Sequence, residues 1–171
     1  MPLPLILAAA LIEPAPSALT ALTAPPETPL LTLARTQRRL SRTGDPVWDL
    51  QVALPGEPVR HFDAVSGRAD RQSANRDQMG SEAPLPVGRY SIGGVEPLGS
   101  RGPRELGPIW IGIEPEFATG RRVLGIHLDP SAGLNWNSGT SGCIGLIHQR
   151  DMLSLAELVQ RSGARTLVVA Q

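Results

Sequence analysis

Apolar and polar side chains alternate along much of the chain, which is the pattern typical of half-buried β-strands. The clearest run is residues 47–54, in which every second side chain from Trp48 to Leu54 is apolar. The turn-forming sequence Pro-Gly-Glu-Pro follows directly at residues 55–58. It predicts that residues 59–65 return as the second strand of a hairpin.

Further strands are predicted at residues 87–92, 109–113 and 166–170, which are rich in apolar residues. The glycines at 93–94 are interpreted as a turn after the first of these strands. Residues 66–82, in contrast, are polar and lack periodicity. They predict a long surface loop, a feature that in compact domains often belongs to a functional site.

One helix is predicted, from His148 to Arg161, and Gly163 is placed to end it. Four apolar residues share one face of this helix: Met152, Leu155, Ala156 and Val159. No internal repeat is visible. The pattern as a whole predicts a mainly β domain with a single helix that follows a glycine-rich turn.

Length and charge narrow the range of functions. The 171 residues are enough for one domain with a substantial core, and 16 basic and 16 acidic side chains give a formal net charge of zero. Without a clustered basic excess, we expect no binding of nucleic acid. The apolar run at residues 3–12 is too short to cross a bilayer, so we expect no stable membrane span. We expect a monomer.

Cys143 is the only cysteine of the chain, so it cannot form an internal disulfide. It is either a packing residue or a nucleophile, and a thiol becomes a useful nucleophile only beside a base or in a positive environment. His127 lies sixteen residues earlier, in the predicted strand 123–129. Leu124, Ile126 and Leu128 occupy one face of that strand and His127 the other, next to Gly125. This placement suits a base that must reach a substrate.

Three segments together resemble a known catalytic signature. They are Gly125-Ile126-His127, the run Thr140-Ser141-Gly142-Cys143-Ile144-Gly145-Leu146, and the upstream run Pro84-Leu85-Pro86-Val87-Gly88-Arg89-Tyr90-Ser91-Ile92. This arrangement resembles the YkuD-type L,D-transpeptidases of bacterial cell walls. The resemblance implies a YkuD-like β-sandwich or mixed-sheet domain over residues 30–171, with one helix after the cysteine turn.

The resemblance also implies a mechanism. Cys143 would attack a carbonyl of a peptidoglycan stem tetrapeptide to form a thioester, with His127 as general base and then general acid. Cleavage would follow the third, diamino-acid residue and release a terminal D-amino acid. The backbone around Gly142, with Ser141 and Gly145, would line the site and stabilise the oxyanion. Neither a cofactor nor a metal is expected, since HExxH and CxxC spacings are absent.

Four further residues are candidates for substrate binding: Trp136, Tyr90, Arg122 and His148. Each has a plainer alternative, namely local packing for the two aromatic residues, a solvated charge for the arginine and helix capping for the histidine. Asp129 either tunes the imidazole or starts the turn at Pro130.

Gly145 departs from the family pattern, because many members have arginine two residues after the cysteine. The identity of the acceptor is therefore open, and the Gly-Cys-Ile-Gly form resembles a divergent branch that includes secreted effectors. Three other functions stay open: an L,D-carboxypeptidase, a catalytically silent wall-binding module, and a cysteine peptidase or amidase of unrelated fold.

Residues 1–29 resemble the hydrophobic part of a secretory signal followed by a linker rich in proline, alanine and threonine. They lack a positive residue before the apolar run and a clear cleavage site, so a mis-assigned start or a disordered tail are the alternatives. We expect export to the periplasm or cell envelope, mainly because the implied substrate lies outside the cytoplasm.

Overall fold

The computed structural model describes residues 26–99 and 102–170. The elements in chain order are β1 (Leu30–Arg39), β2 (Pro46–Ala53), β3 (Arg60–Ser66), β4 (Gly88–Pro97), β5 (Ile109–Pro115), β6 (Leu124–Leu128), β7 (Ile144–Leu146), α1 (Gln149–Ser162) and β8 (Thr166–Val169). Most of the predicted leader, residues 1–25, lies outside the described residues. Within the described ranges, no helix has both the length and the apolar character needed to cross a bilayer.

All eight strands join in one closed mixed sheet, in the order β1-β2-β3-β7-β6-β5-β4-β8, with β8 pairing back onto β1. Two pairs are parallel, β1 with β8 and β6 with β7, and the others are antiparallel. The prediction of a mainly β domain with a mixed sheet and one helix is confirmed. Closure leaves no open sheet edge, which removes a site of unwanted strand pairing.

The predicted hairpin is present as β2 and β3, with Leu50 opposite Phe62 and Trp48 opposite Ala64. These four side chains are buried because the alternation places them on the core side of the closed sheet. The same core takes up the alternating apolar residues of the other strands, among them Leu31, Leu33, Ile111, Ile113, Ile126 and Leu167.

The predicted helix is α1, and His148 is its N-cap residue. Met152, Leu155, Ala156 and Val159 are buried in the common core, as the helical spacing predicts, and Leu158 joins them. Gly163 ends the helix in the left-handed conformation, at a φ of 65°, and its N–H donates to the carbonyl of Val159. Glycine meets this requirement at a low conformational cost.

Two of the observed strands were not predicted. The first, β1, lies just after the predicted leader and buries Leu31 and Leu33 completely. The second, β7, has only three residues with glycine in the middle, and it exists because β3 and β6 pair with it from both sides. Tertiary pairing of this kind cannot be read from a three-residue window.

The expectation of a turn at residues 93–94 is wrong. Strand β4 continues through both glycines to Pro97, and its pairing with β5 shifts register between Ile92 and Val95. Glycine inside a strand often marks such a bulge, where an extra residue is accommodated.

The predicted loop after β3 is confirmed as a long connection that contains only a short 3₁₀ turn at Ala69–Arg71. It is tied to the body of the domain by Ser66, whose hydroxyl accepts from the N–H of Leu85 at 2.9 Å. Its later part, around Gln78 and Ser81, reaches the segment that precedes β6. The loop thereby contributes to the surroundings of the cysteine turn.

Tyr90, in β4, supplies a test of how the core is packed. Its side chain is fully buried, its hydroxyl donates to the carbonyl of Pro86 at 2.7 Å, and its ring packs edge-to-face on Phe117. Tyr90→Phe keeps the ring but leaves the buried Pro86 carbonyl unpaired, so we expect the free energy of unfolding to fall by about 1–3 kcal/mol.

Urea unfolding followed by tryptophan fluorescence measures this change. Ser91→Ala is the matched control, because Ser91 is exposed and makes only a long hydrogen bond of 3.5 Å. We expect it to stay within about 0.5 kcal/mol of the parent protein. Equal midpoints for Tyr90→Phe and the parent would show that the buried hydroxyl contributes nothing to stability.

Candidate active site

The parallel pairing of β6 with β7 brings the histidine and the cysteine segments together. Ile126 lies opposite Ile144 and His127 opposite Gly145, so Cys143 stands immediately before the strand that runs beside the histidine. His127 and Cys143 line one cleft of about 650 Å³. Two residues that are sixteen positions apart in the sequence thus lie in the wall of the same cleft.

His127 lies on the opposite face of β6 from Ile126, but covering segments bury it to 5% exposure. Its Nδ1 lies 2.7 Å from the carbonyl oxygen of Leu128. A carbonyl can only accept, so Nδ1 carries the proton and Nε2 keeps its lone pair. Burial lowers the pKa of the imidazole, although the bond to Leu128 and the charge of Asp129 oppose this effect. The ring is therefore a neutral base with its orientation fixed.

Trp110 stacks on His127, with ring centroids 5.9 Å apart and planes 16° from parallel. The indole occupies the space above Gly125, where an added Cβ would lie 2.3 Å from its Cζ2. Gly125 therefore makes room for the indole that packs against the base. Trp110 was not among the predicted site residues. The alternation in β5 places it on the face opposite Ile111, and it pairs with His127 across the sheet.

The Cys143 side chain is half-buried, and its Sγ lies 3.8 Å from the carbonyl oxygen of Val123. Val123 has a φ of +52°, which is rare for a β-branched residue and is often found at functional sites. Burial raises the pKa of the thiol, opposed by a hydrogen bond from the backbone of Gly125 and by the charge of Arg121. At neutral pH the pair is therefore a thiol and a neutral imidazole.

Thr140 organises the turn that presents the cysteine. Its Oγ1 donates to the carbonyl of Cys143 at 2.7 Å and accepts from the N–H groups of Gly67 at 3.0 Å and Gly142 at 3.2 Å. Gly142 adopts a φ of +111°, a conformation open to glycine and strained for other residues. The N–H of Gly142 is therefore occupied by Thr140. The next amide along the turn that can donate to a bound group is the N–H of Cys143.

Arg121 holds the same turn from the other side. Its guanidinium donates to the carbonyl of Ser141, to Ser81 Oγ at 3.0 Å and to the Gln78 carbonyl at 3.3 Å. A Cβ at Gly142 would lie 1.4 Å from its Nη2, so glycine is required for this contact. The residue is only 4% exposed, and no ion pair between residues of the described ranges includes it. A buried cation therefore lies against the cysteine turn.

Gly145 has no room for a side chain. An added Cβ would lie 2.9 Å from both Asp129 Cβ and Thr140 Cγ2. The departure from the family pattern at this position is thus accompanied by close packing between the cysteine turn and the end of β6. Ser141, in contrast, is exposed and lines the cleft.

Asp129 anchors the loop between β6 and the cysteine turn. One carboxylate oxygen accepts from the Ser131 N–H at 2.9 Å and from its hydroxyl at 2.6 Å, and the other accepts from the Gly139 N–H at 2.9 Å. This carboxylate starts the turn and also ties the two ends of the loop together. It acts on the imidazole as well, since its charge favours the protonated form.

The other candidate residues lie outside the lining of the cleft. Tyr90 is fully buried, and Arg122 is exposed in the segment before β6. His148 is exposed at the N-cap position of α1, where its side chain makes no capping hydrogen bond. Trp136 is 88% exposed and borders a neighbouring cavity. Besides Asp129, the cleft wall carries three charged residues that were not predicted, because they lie in segments without periodicity: Arg68, Arg104 and Glu105.

Within residues 26–99 and 102–170, no group of three or more histidine, cysteine, aspartate or glutamate side chains is placed to hold a metal ion. What the arrangement offers chemically is a thiol, an oriented neutral imidazole and a buried guanidinium at one turn. This combination suits acyl transfer through a covalent intermediate.

Three comparisons with known proteins were made, and one of them gives a match. Neither the curated proteins nor the solved structures include a match to this chain. The family model described as the L,D-transpeptidase catalytic domain, YkuD, matches residues 49–169. The matched region runs from β2 to β8 and includes both His127 and Cys143. The chain therefore belongs to the YkuD family of L,D-transpeptidase catalytic domains.

Proposed function

We propose that this protein is an L,D-transpeptidase that acts on peptidoglycan stem tetrapeptides, with Cys143 as nucleophile and His127 as general base and acid. Membership of the family implies this type of activity on peptidoglycan. The observation that carries the assignment of residues is that His127 and Cys143 share the wall of one cleft. Because the substrate lies outside the cytoplasm, we also propose that the protein works in the cell envelope.

The first half of the reaction forms a thioester. As Sγ of Cys143 attacks the amide carbonyl, Nε2 of His127 takes the thiol proton, which leaves an imidazolium held by the Leu128 carbonyl. The C–N bond then breaks, and the imidazolium gives its proton to the leaving amine of the D-amino acid. In the second half, an acceptor amine attacks the thioester, His127 takes a proton from it, and the Cys143 sulfur leaves and is reprotonated.

Negative charge develops twice in this sequence, on sulfur and on the carbonyl oxygen. We assign the Cys143 N–H to the oxyanion, since the N–H of Gly142 is bonded to Thr140. Arg121 supplies the positive charge nearest the turn, and its guanidinium is held in place by Ser141, Ser81 and Gln78. A fixed cation in a partly buried site stabilises such charge more strongly than it would in water.

The direct test is mass spectrometry of disaccharide-tetrapeptide incubated with the full chain and an added D-amino acid. We expect exchange of the terminal residue, or cross-linked dimers, because an amine resolves the thioester. Loss of the terminal residue alone would instead assign L,D-carboxypeptidase activity.

Cys143→Ala and His127→Gln are the matched controls for this assay. Each removes one partner of the pair, and we expect a loss of at least about 100-fold, as for other general acid–base groups. If the folded parent protein leaves the disaccharide-tetrapeptide unchanged, the proposal fails for this substrate.

The protonation state of the resting pair is tested by alkylation of Cys143, the only cysteine, with iodoacetamide between pH 5 and 10. The thiolate is the reactive form, and burial raises the pKa of the thiol. The ordinary pKa of a cysteine thiol is about 8.5. We therefore expect the alkylation rate to keep rising above that pH.

His127→Gln is informative in the same alkylation assay. In a neutral pair the histidine carries no charge at high pH, so the variant should retain nearly the same pH profile while it loses acyl transfer. A rate that is already constant at pH 6–7 in the parent, and that falls in the variant, would indicate a thiolate–imidazolium pair and would overturn the neutral assignment.

Arg121→Gln tests the role of the buried cation. We expect kcat/KM to fall on the order of 10- to 100-fold, mainly through kcat, because the turn loses its fixed position and the developing anion loses a nearby charge. The alkylation profile of Cys143 should also move to higher pH. Arg122→Gln is the matched control, since this neighbour is exposed and lies outside the cleft wall. Equal kinetics for the two variants would remove Arg121 from the mechanism.

A further inference from the structure

A second cavity, of about 570 Å³, adjoins the catalytic cleft. Arg68 and Asn135 line both spaces, so the two adjoin at these residues. The rest of the second cavity is formed by residues that the proposed reaction does not use. It is therefore placed to hold a part of the substrate away from the reacting bond.

Trp136 is the most exposed large apolar side chain bordering this cavity, at 88%. The loop that carries it is fixed by hydrogen bonds on both sides. Arg68 donates to the carbonyls of Asn137 at 2.6 Å and Ser138 at 3.1 Å, and the Ser138 hydroxyl donates to Asp45 at 2.6 Å. The indole is thus presented to solvent by an anchored segment, which is the arrangement expected of a stacking surface.

The opposite wall of the cavity is polar. Asp45 Oδ1 and Thr43 Oγ1 are buried and make no hydrogen bond to any residue of the described ranges. Buried polar atoms are normally paired, and both belong to residues that line the cavity. Because the two atoms are closed off from solvent, a ligand with hydroxyl groups bonds to them only after a small rotation of these side chains. Arg42, Asp70 and Asn135 add charged and amide groups around the rim.

We propose that this cavity, bordered by Trp136 and walled by Asp45 and Thr43, binds the sugar of the peptidoglycan strand to which the stem peptide is attached. A pyranose ring has an apolar C–H face that stacks on an indole and an edge of hydroxyl groups that bonds to carboxylates, amides and guanidinium groups. A concave site with one stacking ring and a few placed polar groups matches both requirements. This inference rests on the proposed function.

The length of the stem peptide agrees with a sugar site that adjoins the catalytic cleft. The sugar is linked to the first residue of the stem, and the bond that is broken follows the third residue. An extended chain covers at most about 3.3–3.6 Å per residue, so the sugar lies roughly 10 Å from the reacting carbonyl. A sugar site beside the catalytic cleft, rather than within it, fits this spacing.

The test uses the full chain carrying Cys143→Ala, so that ligands are bound but not turned over. Three ligands are titrated separately: disaccharide without peptide, free tetrapeptide, and disaccharide-tetrapeptide. Binding is followed by calorimetry and by the indole N–H signal of Trp136 in NMR, which is assigned by its loss in Trp136→Phe. Leu153→Ala, which removes an exposed apolar side chain on α1, is the control for Trp136→Ala.

We expect the free disaccharide to shift the Trp136 signal, and the disaccharide-tetrapeptide to bind roughly three- to tenfold more tightly than the free tetrapeptide. Trp136→Ala should abolish that preference without weakening the binding of free tetrapeptide, and Leu153→Ala should change neither.

If the disaccharide leaves the Trp136 signal unchanged while the free tetrapeptide and the disaccharide-tetrapeptide bind equally, the sugar site is refuted and the proposed function stands. If the disaccharide shifts the signal, the free tetrapeptide does not bind and the disaccharide-tetrapeptide binds no more tightly than the disaccharide, the sugar site stands and the proposed function fails. A shift caused by free tetrapeptide alone would assign the cavity to peptide and overturn the inference.

Discussion

The parallel pairing of β6 with β7 is the constraint on which the site depends. Strand β7 has only three residues, and it is held because β3 pairs with its other edge. This pairing fixes His127 beside Gly145 and places Cys143 at the entrance of the strand. The closed sheet therefore does more than bury the core. It sets the relation between His127 and Cys143, the proposed base and nucleophile, through backbone hydrogen bonds, which are less free to move than two side chains on separate loops.

The electrostatics of the site follow from burial. Desolvation disfavours both the imidazolium and the thiolate, so it lowers the pKa of His127 and raises that of Cys143. Both charged forms must nevertheless appear in the proposed acyl transfer. Desolvation is opposed at Cys143 by the backbone of Gly125 and by Arg121. At His127 it is opposed by the carbonyl of Leu128 and by the charge of Asp129.

The sequence predicted those features that have a local signal. The alternation at 47–54 and the helical spacing with Gly163 at its end predict elements that the structure contains. The motif around Cys143, with its upstream segments, predicts the family whose model matches the chain. What could not be predicted depends on contacts between distant segments. Trp110 covers Gly125 from another strand, and Arg121 meets Gly142 through a turn whose course no local pattern specifies. Strand β7 lacks a local signal altogether, because its glycine and its three-residue length are equally typical of a turn.

The relation between Gly145 and Arg121 shows how a motif can depart from its family and still place a cation at the site. Many members of the family carry arginine where this chain has Gly145, and here that position is filled by packing against Asp129 and Thr140. The guanidinium at the cysteine turn comes instead from residue 121, which precedes β6, and it bonds to the carbonyl of Ser141. Because Arg121 is buried and bonded on several sides, it is a fixed charge that stays with the turn. A side chain at 145 would project from β7 itself, whereas Arg121 reaches the turn from the segment before β6. The cavity beside Trp136 adjoins the cleft at Arg68 and Asn135, so the cation at residue 121 and the second cavity meet the cysteine turn through different residues.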